Sequence, residues 1–307
     1  MSNTSATPRL FVTGATGQLG GHVIDVLLET LPASVIVAGV RDPAQEGGAA
    51  AALRAKGVET READYTRPDT LARAFQGIDR LLLISSSENG KRKPQHRNVV
   101  NAAKAAGVGL IAYTSILRAD ASPLFLADEH RDTEAALRDC GVPFVLLRNG
   151  WYNEVFTWRL PLAMKLSVLM GAAGSGRFSS AARADYARAA ATVLAEEGHA
   201  GKTYELAGDG SFTLEDLAAV MTEAAGQPLA YRNLSPEEFE AAAIQAGVPE
   251  AVARVLSDTD AGVAQGALFD EGRQLSRLIG RPTTPFQDTI RAFVRDQKAG
   301  ASAPGHH

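Results

Sequence analysis

Arg9-Leu-Phe-Val-Thr-Gly-Ala-Thr-Gly-Gln-Leu-Gly-Gly21 is the stretch from which the rest of the chain can be read. Leu10, Phe11 and Val12 give a strand signal, glycines follow at 14, 17 and 20, and a helical pattern begins at once. Glycines at this spacing let a strand turn tightly, bring bare backbone N–H groups against a pyrophosphate and let the next helix pack closely on the sheet. The phosphates then lie at a helix N-terminus, where unpaired N–H groups and the positive dipole end favour anions. A tight structural turn is the bland alternative. The position between a strand signal and a helix signal favours a dinucleotide.

Strand and helix signals alternate outward from this loop. Leu19, Val23, Val26 and Leu27 share one helical face, and Pro32 marks its stop. Val35–Val40 predicts a second strand, followed by a helix near 44–56, a strand over Val58–Arg61 and a helix over Pro68–Phe75. Leu81-Leu-Leu-Ile84 is apolar on both faces, as parallel sheets demand. A helix over about Pro94–Ala106, a strand over Leu110–Tyr113, a helix over about Leu124–Cys140 and a strand over Phe144–Leu147 continue the pattern. Such alternation requires right-handed crossovers. The fold class is α/β, a Rossmann-type doubly wound parallel sheet.

Beyond Arg148 the texture changes, with Trp151, Tyr152, Phe156 and Trp158 crowded ahead of the glycine-rich Gly171–Gly176. A helix near 184–197 and a strand over Lys202–Leu206 follow. Thr213-x-x-Asp216, Ser235-Pro-x-Glu238 and Thr284-Pro-x-Gln287 each pair an N-cap with a capping partner and open further helices. Residues 1–150 are therefore expected to bind NAD(P). Residues 151–307 are expected to form a smaller, mostly helical substrate-pocket region that shares the same core.

The 307 residues, 45% hydrophobic and 21% charged, describe a soluble globular protein. A net charge of −4 offers no footprint for nucleic acid, and no apolar stretch is long enough to span a membrane. Met1–Pro8 has no apolar signal core, so the expected location is cytoplasmic. Cys140, the sole cysteine, reads as packing at a helix end.

An acidic residue after the second strand usually holds the ribose of NAD. Here Val40 is followed by Arg41, which suits a 2′-phosphate and points to NADP(H). Asp42 reads as the cap of a helix starting at Pro43, although repulsion of the phosphate or a reach to the ribose stays open. Other contacts are expected where strands end: Asp64, Ser85, Ser86, Ser87, Tyr113, Thr114, Asn149, Gly150 and Trp151.

Catalytic machinery is conspicuously thin. Four residues beyond Tyr65, Tyr113, Tyr152, Tyr186, Tyr204 and Tyr231 stand Asp69, Leu117, Phe156, Ala190, Gly208 and Ser235, so there is no Tyr-x-x-x-Lys acid. The histidines show no metal-ligand spacing, and no metal is expected. His130 and Glu134 lie one helical turn apart, where a surface ion pair is favoured over a proton relay. Lys91-Arg-Lys93 reads as a solvated loop. Hydride transfer to a quinone or a dye cation tolerates a missing acid, because any proton can come from solvent. Trp151, Tyr152, Phe156 and Trp158 suit stacking on such an acceptor, with core packing the equal alternative.

Ten segments together resemble a known family: Gly14-Ala-Thr-Gly-Gln-Leu-Gly20, Val40-Arg-Asp-Pro43, Ala63-Asp-Tyr65, Leu81-Leu-Leu-Ile-Ser-Ser-Ser87, Pro94-Gln-His-Arg-Asn98, Ala112-Tyr-Thr-Ser115, Leu126-Ala-Asp-Glu-His130, Leu147-Arg-Asn-Gly-Trp-Tyr152, Arg183-Ala-Asp-Tyr186 and Leu278-Ile-Gly280. The family is the bacterial NAD(P)H:quinone oxidoreductase type 2, in the NmrA-like branch of atypical short-chain dehydrogenases, and the resemblance runs from about residue 9 to 295. It implies an NADPH-preferring quinone reductase without flavin or metal, in which Gly14, Thr16, Gly17, Gln18, Leu19, Arg41, Ser85–Ser87 and Asn149 contact NADP(H). It also implies a pocket in the C-terminal region and a homodimer. Glu134-Ala135 stands where Glu-Lys is expected, so that proton donor is missing, and Asp42 stands where asparagine is common. His130 and Tyr152 are the candidates left for catalysis. A triarylmethane dye reductase and a non-catalytic NADP(H) redox sensor are the alternatives.

Overall fold

β1 (Leu10–Val12) is buried on both faces, as the central strand of a parallel sheet must be. The computed structural model describes residues 7–302, so most of the Met1–Pro8 leader lies outside the described residues. After β1 come α1 (Gln18–Leu28), β2 (Ile36–Val40), α2 (Gly48–Ala55), β3 (Glu59–Glu62), α3 (Pro68–Ala74) and β4 (Arg80–Leu83). They are followed by α4 (Arg92–Ala105), β5 (Leu110–Ile116), α5 (Leu126–Cys140) and β6 (Phe144–Asn149). Next are α6 (Asn153–Thr157), α7 (Leu160–Leu166), β7 (Val168–Gly171), α8 (Arg183–Ala195) and β8 (Thr203–Leu206). The chain closes with α9 (Leu214–Ala225), β9 (Ala230–Asn233), α10 (Pro236–Gln245), α11 (Glu250–Ala264), α12 (Gln274–Ile279) and α13 (Phe286–Ser302).

The strands form a seven-stranded sheet in the order β3-β2-β1-β4-β5-β6-β8. Pairing is parallel from β3 through β6, and Leu146 N–H→Lys202 O with Gly150 N–H→Leu206 O carries β8 in the same direction. This is the doubly wound sheet that the alternation predicts, with the order reversing beside β1, where such sheets bind ligands. The chain divides into two compact units. One holds the chain up to Asp120 with Leu126–Asn149 and Arg183–Glu205; the other holds Ala121–Phe125, Gly150–Ala182 and the chain from Leu206 on.

The first unit is cored by Phe11, Leu71, Phe75, Leu81, Val99 and Leu146, with Phe11 and Phe75 edge to face at 5.0 Å. Cys140 packs against this core as a free thiol at the end of α5. Several boundaries move for physical reasons. β5 runs past its predicted end at Tyr113 to Ile116 because Thr114 and Ser115 are buried with their hydroxyls bonded. Asp42 caps no helix: its Oδ1 accepts from Ala44 N–H in a two-residue turn, and Gly47 and Gly48, at φ +84° and +65°, delay α2. The basic run is not a loop, since Arg92 and Lys93 open α4.

The second unit pairs β7 with β9 in parallel and packs Phe156 against Phe178 and Phe212 at 5.0 and 5.1 Å. Capping boxes open α9 at Thr213 and α10 at Ser235, as their sequences predict. α13 begins one residue later than its signal, leaving Pro285 ahead of the helix. Among the described residues no helix is long and apolar enough to cross a membrane.

One contact sets how α1 meets β1. A Cβ on Gly20 would stand 2.4 Å from Gly14 O and 2.8 Å from Ala15 Cα, both backbone atoms that cannot give way cheaply. Gly20→Ala should cost about 1–3 kcal/mol by overpacking, lowering the melting temperature by several degrees. Calorimetry checks this, and an unchanged melting temperature would remove the contact's assigned weight.

Candidate functional site

Gly14, at φ +57°, turns the chain away from β1. Ala15 N–H donates to Gly39 O at 3.1 Å and Gly17 N–H to Gly14 O at 2.9 Å, which fixes the loop. Gly17 is the N-cap of α1 and carries no side chain to close the helix end, and the first turn holds no acidic residue. The N–H groups of Gln18, Leu19 and Gly20 have no acceptor within the helix. Gly14, Thr16, Gly17 and Gln18 are exposed while the Leu19 side chain is buried, so the loop presents backbone outward. Arg41 is exposed at the end of β2 and makes no hydrogen bond or ion pair among the described residues. An open set of N–H donors with a free guanidinium one strand away fits a phosphorylated dinucleotide.

A network of fixed polar groups lies beneath the ends of β1, β3 and β4. Thr13 Oγ1 donates to Leu82 O at 3.0 Å and accepts from Ile84 N–H at 2.9 Å. Tyr65 donates to Ile84 O at 2.8 Å, and Asn98 Nδ2 donates to Tyr65 O at 2.9 Å. Asp64 turns inward on its own loop. Its Oδ1 accepts from Thr66 N–H at 2.8 Å and from Thr66 Oγ1 at 2.7 Å. Partial burial pushes its carboxyl pKa up, but the Thr66 bonds and the charges of Arg67 and Arg41 hold it below the usual value. The carboxylate is thereby committed to its turn.

The serine segment is held by its backbone. Ser85 N–H donates to Thr114 Oγ1 at 2.8 Å, Ser86 N–H to His96 Nε2 at 3.0 Å, and Arg92 Nε to Ser86 O at 2.5 Å. The Ser86 bond fixes the histidine tautomer, because Nε2 must be unprotonated to accept. His96 Nδ1–H therefore donates to Thr133 Oγ1 at 2.9 Å, and Thr133 donates to Glu129 O at 3.0 Å. Burial, with the charge of Arg92 adding, pushes the His96 pKa from 6.5 down to about 3. Arg92, expected in solvent, is instead 8% exposed; among the described residues its Nη1 makes no hydrogen bond, and Glu129 Oε2 stands 3.9 Å away as its ion-pair partner.

His130 and Glu134 do not form the expected surface pair. Both are buried, and they face different partners. His130 Nδ1 shares a hydrogen bond with Tyr113 OH at 2.7 Å, and burial with Arg92 holds the ring neutral. Tyr113, expected at the cofactor, has no exposed surface and its hydroxyl is bonded to His130 and Thr133. Glu134 accepts from Arg148 in a two-pronged pair, Nε–Oε1 at 2.9 Å and Nη2–Oε2 at 2.6 Å, and from Ser115 Oγ at 2.6 Å. The pair anchors the end of β6, where Asn149 follows with a buried Oδ1 that has no hydrogen-bond partner among the described residues. That orphan acceptor is a second mark of a site built for a ligand.

In the second unit the expected aromatic cluster separates. Phe156 is 1% exposed within the phenylalanine core, not in a pocket. Tyr152 caps α6 and is half-buried. Trp151 and Trp158 line one cavity of about 320 Å³. Sequence reasoning missed His96, Thr133, Asn98 and Arg148 as supports of the site. A signal existed in α4: Arg92, Gln95, His96 and Val99 recur at helical spacing and are all buried, a polar–apolar face turned inward.

The NAD(P)H-binding family matches residues 14–197. Quinone oxidoreductase 2 of Escherichia coli (strain K12) is 54% identical over 279 residues, covering 91% of this chain and 96% of that protein. The crystal structure of an NADPH-dependent quinone oxidoreductase from Escherichia coli complexed with NADPH superposes with a TM-score of 0.89 at 53% identity, over 92% of this chain and 99% of that one. Triphenylmethane reductase of Citrobacter sp. complexed with NADP(H) superposes with a TM-score of 0.87 at 38% identity, over 92% and 99% of the two chains.

The buried neutral His96 gives stability a definite pH slope. The unfolded chain takes up a proton at the ordinary value of 6.5, the folded chain only near 3, so stability is lost as pH falls through that window. In urea unfolding His96 should account for a loss on the order of 2 kcal/mol between about pH 7 and pH 5, with His130, also held neutral by burial, adding to the total. His96→Gln, which keeps an acceptor for Ser86, should remove the share of His96 and leave that of His130. An equal slope in the variant would show that His96 does not carry it.

Proposed function

The chain belongs to the NAD(P)H-binding family, in the group that holds quinone oxidoreductase 2, and from that premise we propose that it reduces quinones with NADPH. NADPH, when bound, supplies the hydride. The quinone gains that hydride and one proton from solvent, leaving hydroquinone and NADP⁺. The observation that carries the reading is the open N–H cradle of Gly14–Gly20 beside the unpaired Arg41.

Gly14, Thr16, Gly17, Gln18 and Leu19 hold the pyrophosphate through the loop backbone, with the free N–H groups at the start of α1 directed at its oxygens. Arg41 takes the 2′-phosphate as a charge-assisted partner, which a 2′-hydroxyl cannot match. Ser85, Ser86, Ser87, Thr114, Asn149, Gly150 and Trp151 flank the nicotinamide half, and the orphaned Asn149 Oδ1 supports this by offering an acceptor for a cofactor donor. Asp64 and Tyr113 act as supports, since their side chains are committed elsewhere. No residue need serve as a strong acid. A quinone takes hydride into a conjugated ring, and the developing phenolate is protonated by water. Neither His130, neutral and bonded to Tyr113, nor Tyr152 is required for the step. The family likeness also supports a cytoplasmic homodimer.

Triphenylmethane dyes are the second acceptor class, favoured by the 38% identity to the Citrobacter enzyme. NADPH oxidation should rise several-fold or more on adding a benzoquinone. A rise with cationic dyes alone would select the second reading. No rise with any acceptor would leave a dinucleotide sensor.

Arg41→Ala should weaken NADPH binding by about 1.5–3 kcal/mol, roughly ten- to a hundredfold, while changing NADH little. Titration calorimetry with both cofactors measures this. Equal losses would remove Arg41 from the 2′-phosphate.

A further inference from the structure

Both tryptophans of the chain, Trp151 and Trp158, stand in the cavity of about 320 Å³ in the second unit. Its walls come from α6, α7, β7, α10 and α11, with Leu162, Leu169, Val255 and Leu256 among them. Every lining side chain is apolar or aromatic except Arg159.

Arg159 does not make the cavity cationic. Its side chain is 8% exposed and is paired with the fully buried Asp260, Nη2–Oδ1 at 2.7 Å and Nη1–Oδ2 at 3.2 Å. Asp260 is fixed in turn by Ala172 N–H at 3.0 Å, and the guanidinium lies 5.6 Å from the Phe239 ring centroid. The two charges cancel. What is left over is one donor: among the described residues the buried Arg159 Nε–H has no hydrogen-bond partner. Buried donors are normally satisfied, so an unmet one at a cavity wall marks a place for a ligand acceptor. Trp158, 66% exposed, and Val252, 43% exposed, give the cavity an apolar mouth.

A neutral, apolar, aromatic-walled cavity with one N–H donor suits an uncharged ligand with a large apolar body and an accepting oxygen. We propose that it selects lipophilic quinones, those whose ring carries an alkyl or prenyl chain. The apolar body lies against Leu162, Leu169, Val255 and Leu256, and a quinone oxygen accepts from Arg159 Nε–H. This rests on the quinone reading above and goes beyond it by naming which quinones. A small unsubstituted benzoquinone leaves most of the volume empty. A cationic dye finds no net counter-charge there. Trp151, which lines the cavity, follows Asn149 and Gly150 in the chain, directly after the end of β6.

Methyl-, propyl- and pentyl-benzoquinone separate the outcomes. kcat/KM for NADPH oxidation should rise with chain length, by up to about fourfold per buried methylene. A flat series overturns the proposal while leaving quinone reduction intact. Leu162→Phe with Val255→Phe, which fills the cavity, should lower the ratio of pentyl to methyl turnover. A second measurement needs no turnover, because the only tryptophans line the cavity. A pentyl-naphthoquinone should quench their fluorescence saturably in the absence of NADPH. Arg159→Lys, which retains a charge for Asp260, should weaken that quinone by about three- to tenfold and leave pentyl-naphthalene unchanged. If no quinone is reduced, the functional reading fails and the quenching still decides the cavity. Absence of saturable quenching overturns the proposal whatever the turnover shows.

Discussion

The close approach of Gly20 to the Gly14 carbonyl is the constraint on which the dinucleotide half of the protein depends. With no Cβ at position 20, α1 starts directly above the end of β1, and the first-turn N–H groups are left facing outward. Had the helix begun further from the strand, the loop would have been longer and its amides turned on one another. The same economy appears at Gly39, where a Cβ would stand 2.5 Å from the Phe11 ring. Two close approaches thus bring α1 and β2 onto β1, and the end of β2 places Arg41 near the cradle. Binding of a phosphorylated cofactor is therefore a consequence of backbone packing more than of any charged cluster.

Legibility followed burial chemistry. Elements whose sequence is apolar on both faces, such as Leu81–Leu83, could be read at once, because a parallel strand between covered faces allows little else. Capped helices were equally plain, as Thr213 and Ser235 show. Polar residues inside the fold were not. Thr114, Ser115, His130 and Glu134 look like surface residues by type, and their burial depends on partners distant in sequence. A spacing of four residues on a helix puts His130 and Glu134 on one side. It says nothing about Tyr113 or Arg148, which claim them first. Asp42 misled for the opposite reason: a short-range turn was available, and the local bond to Ala44 won over the helix.

The polar interior has a common logic. Burial, with the charge of Arg92 adding to it, lowers the proton affinity of His96 and His130 alike, so both rings stay neutral and one of them accepts from the Ser86 amide. A charged imidazole there would face a cation and lose its role as acceptor. Arg148 is handled differently: its charge is met by Glu134 in a two-pronged pair and by Glu205 at 2.9 Å, so it stays ionised while buried. Arg92 thus stands among two neutral rings with Glu129 Oε2 3.9 Å away, whereas Arg148 is held directly by carboxylates. Both arrangements stiffen strand ends, where small displacements would be felt by a bound cofactor.

This stiffness bears on why so little acid–base machinery is needed. An alcohol dehydrogenase must move a proton together with hydride, and so must hold a phenol or imidazole at a shifted pKa in contact with substrate. Here the buried titratable groups are arranged to stay in one protonation state: the Tyr65 and Tyr113 hydroxyls are pushed above their ordinary pKa and the histidine rings below theirs. Such groups position the backbone well but exchange protons poorly near neutral pH. An acceptor that delocalises the incoming charge removes the need for exchange, and the neutral apolar cavity of the second unit is a fitting place for the uncharged members of that class. The Arg159–Asp260 pair then serves chemistry by staying silent, giving one oriented N–H and no net charge.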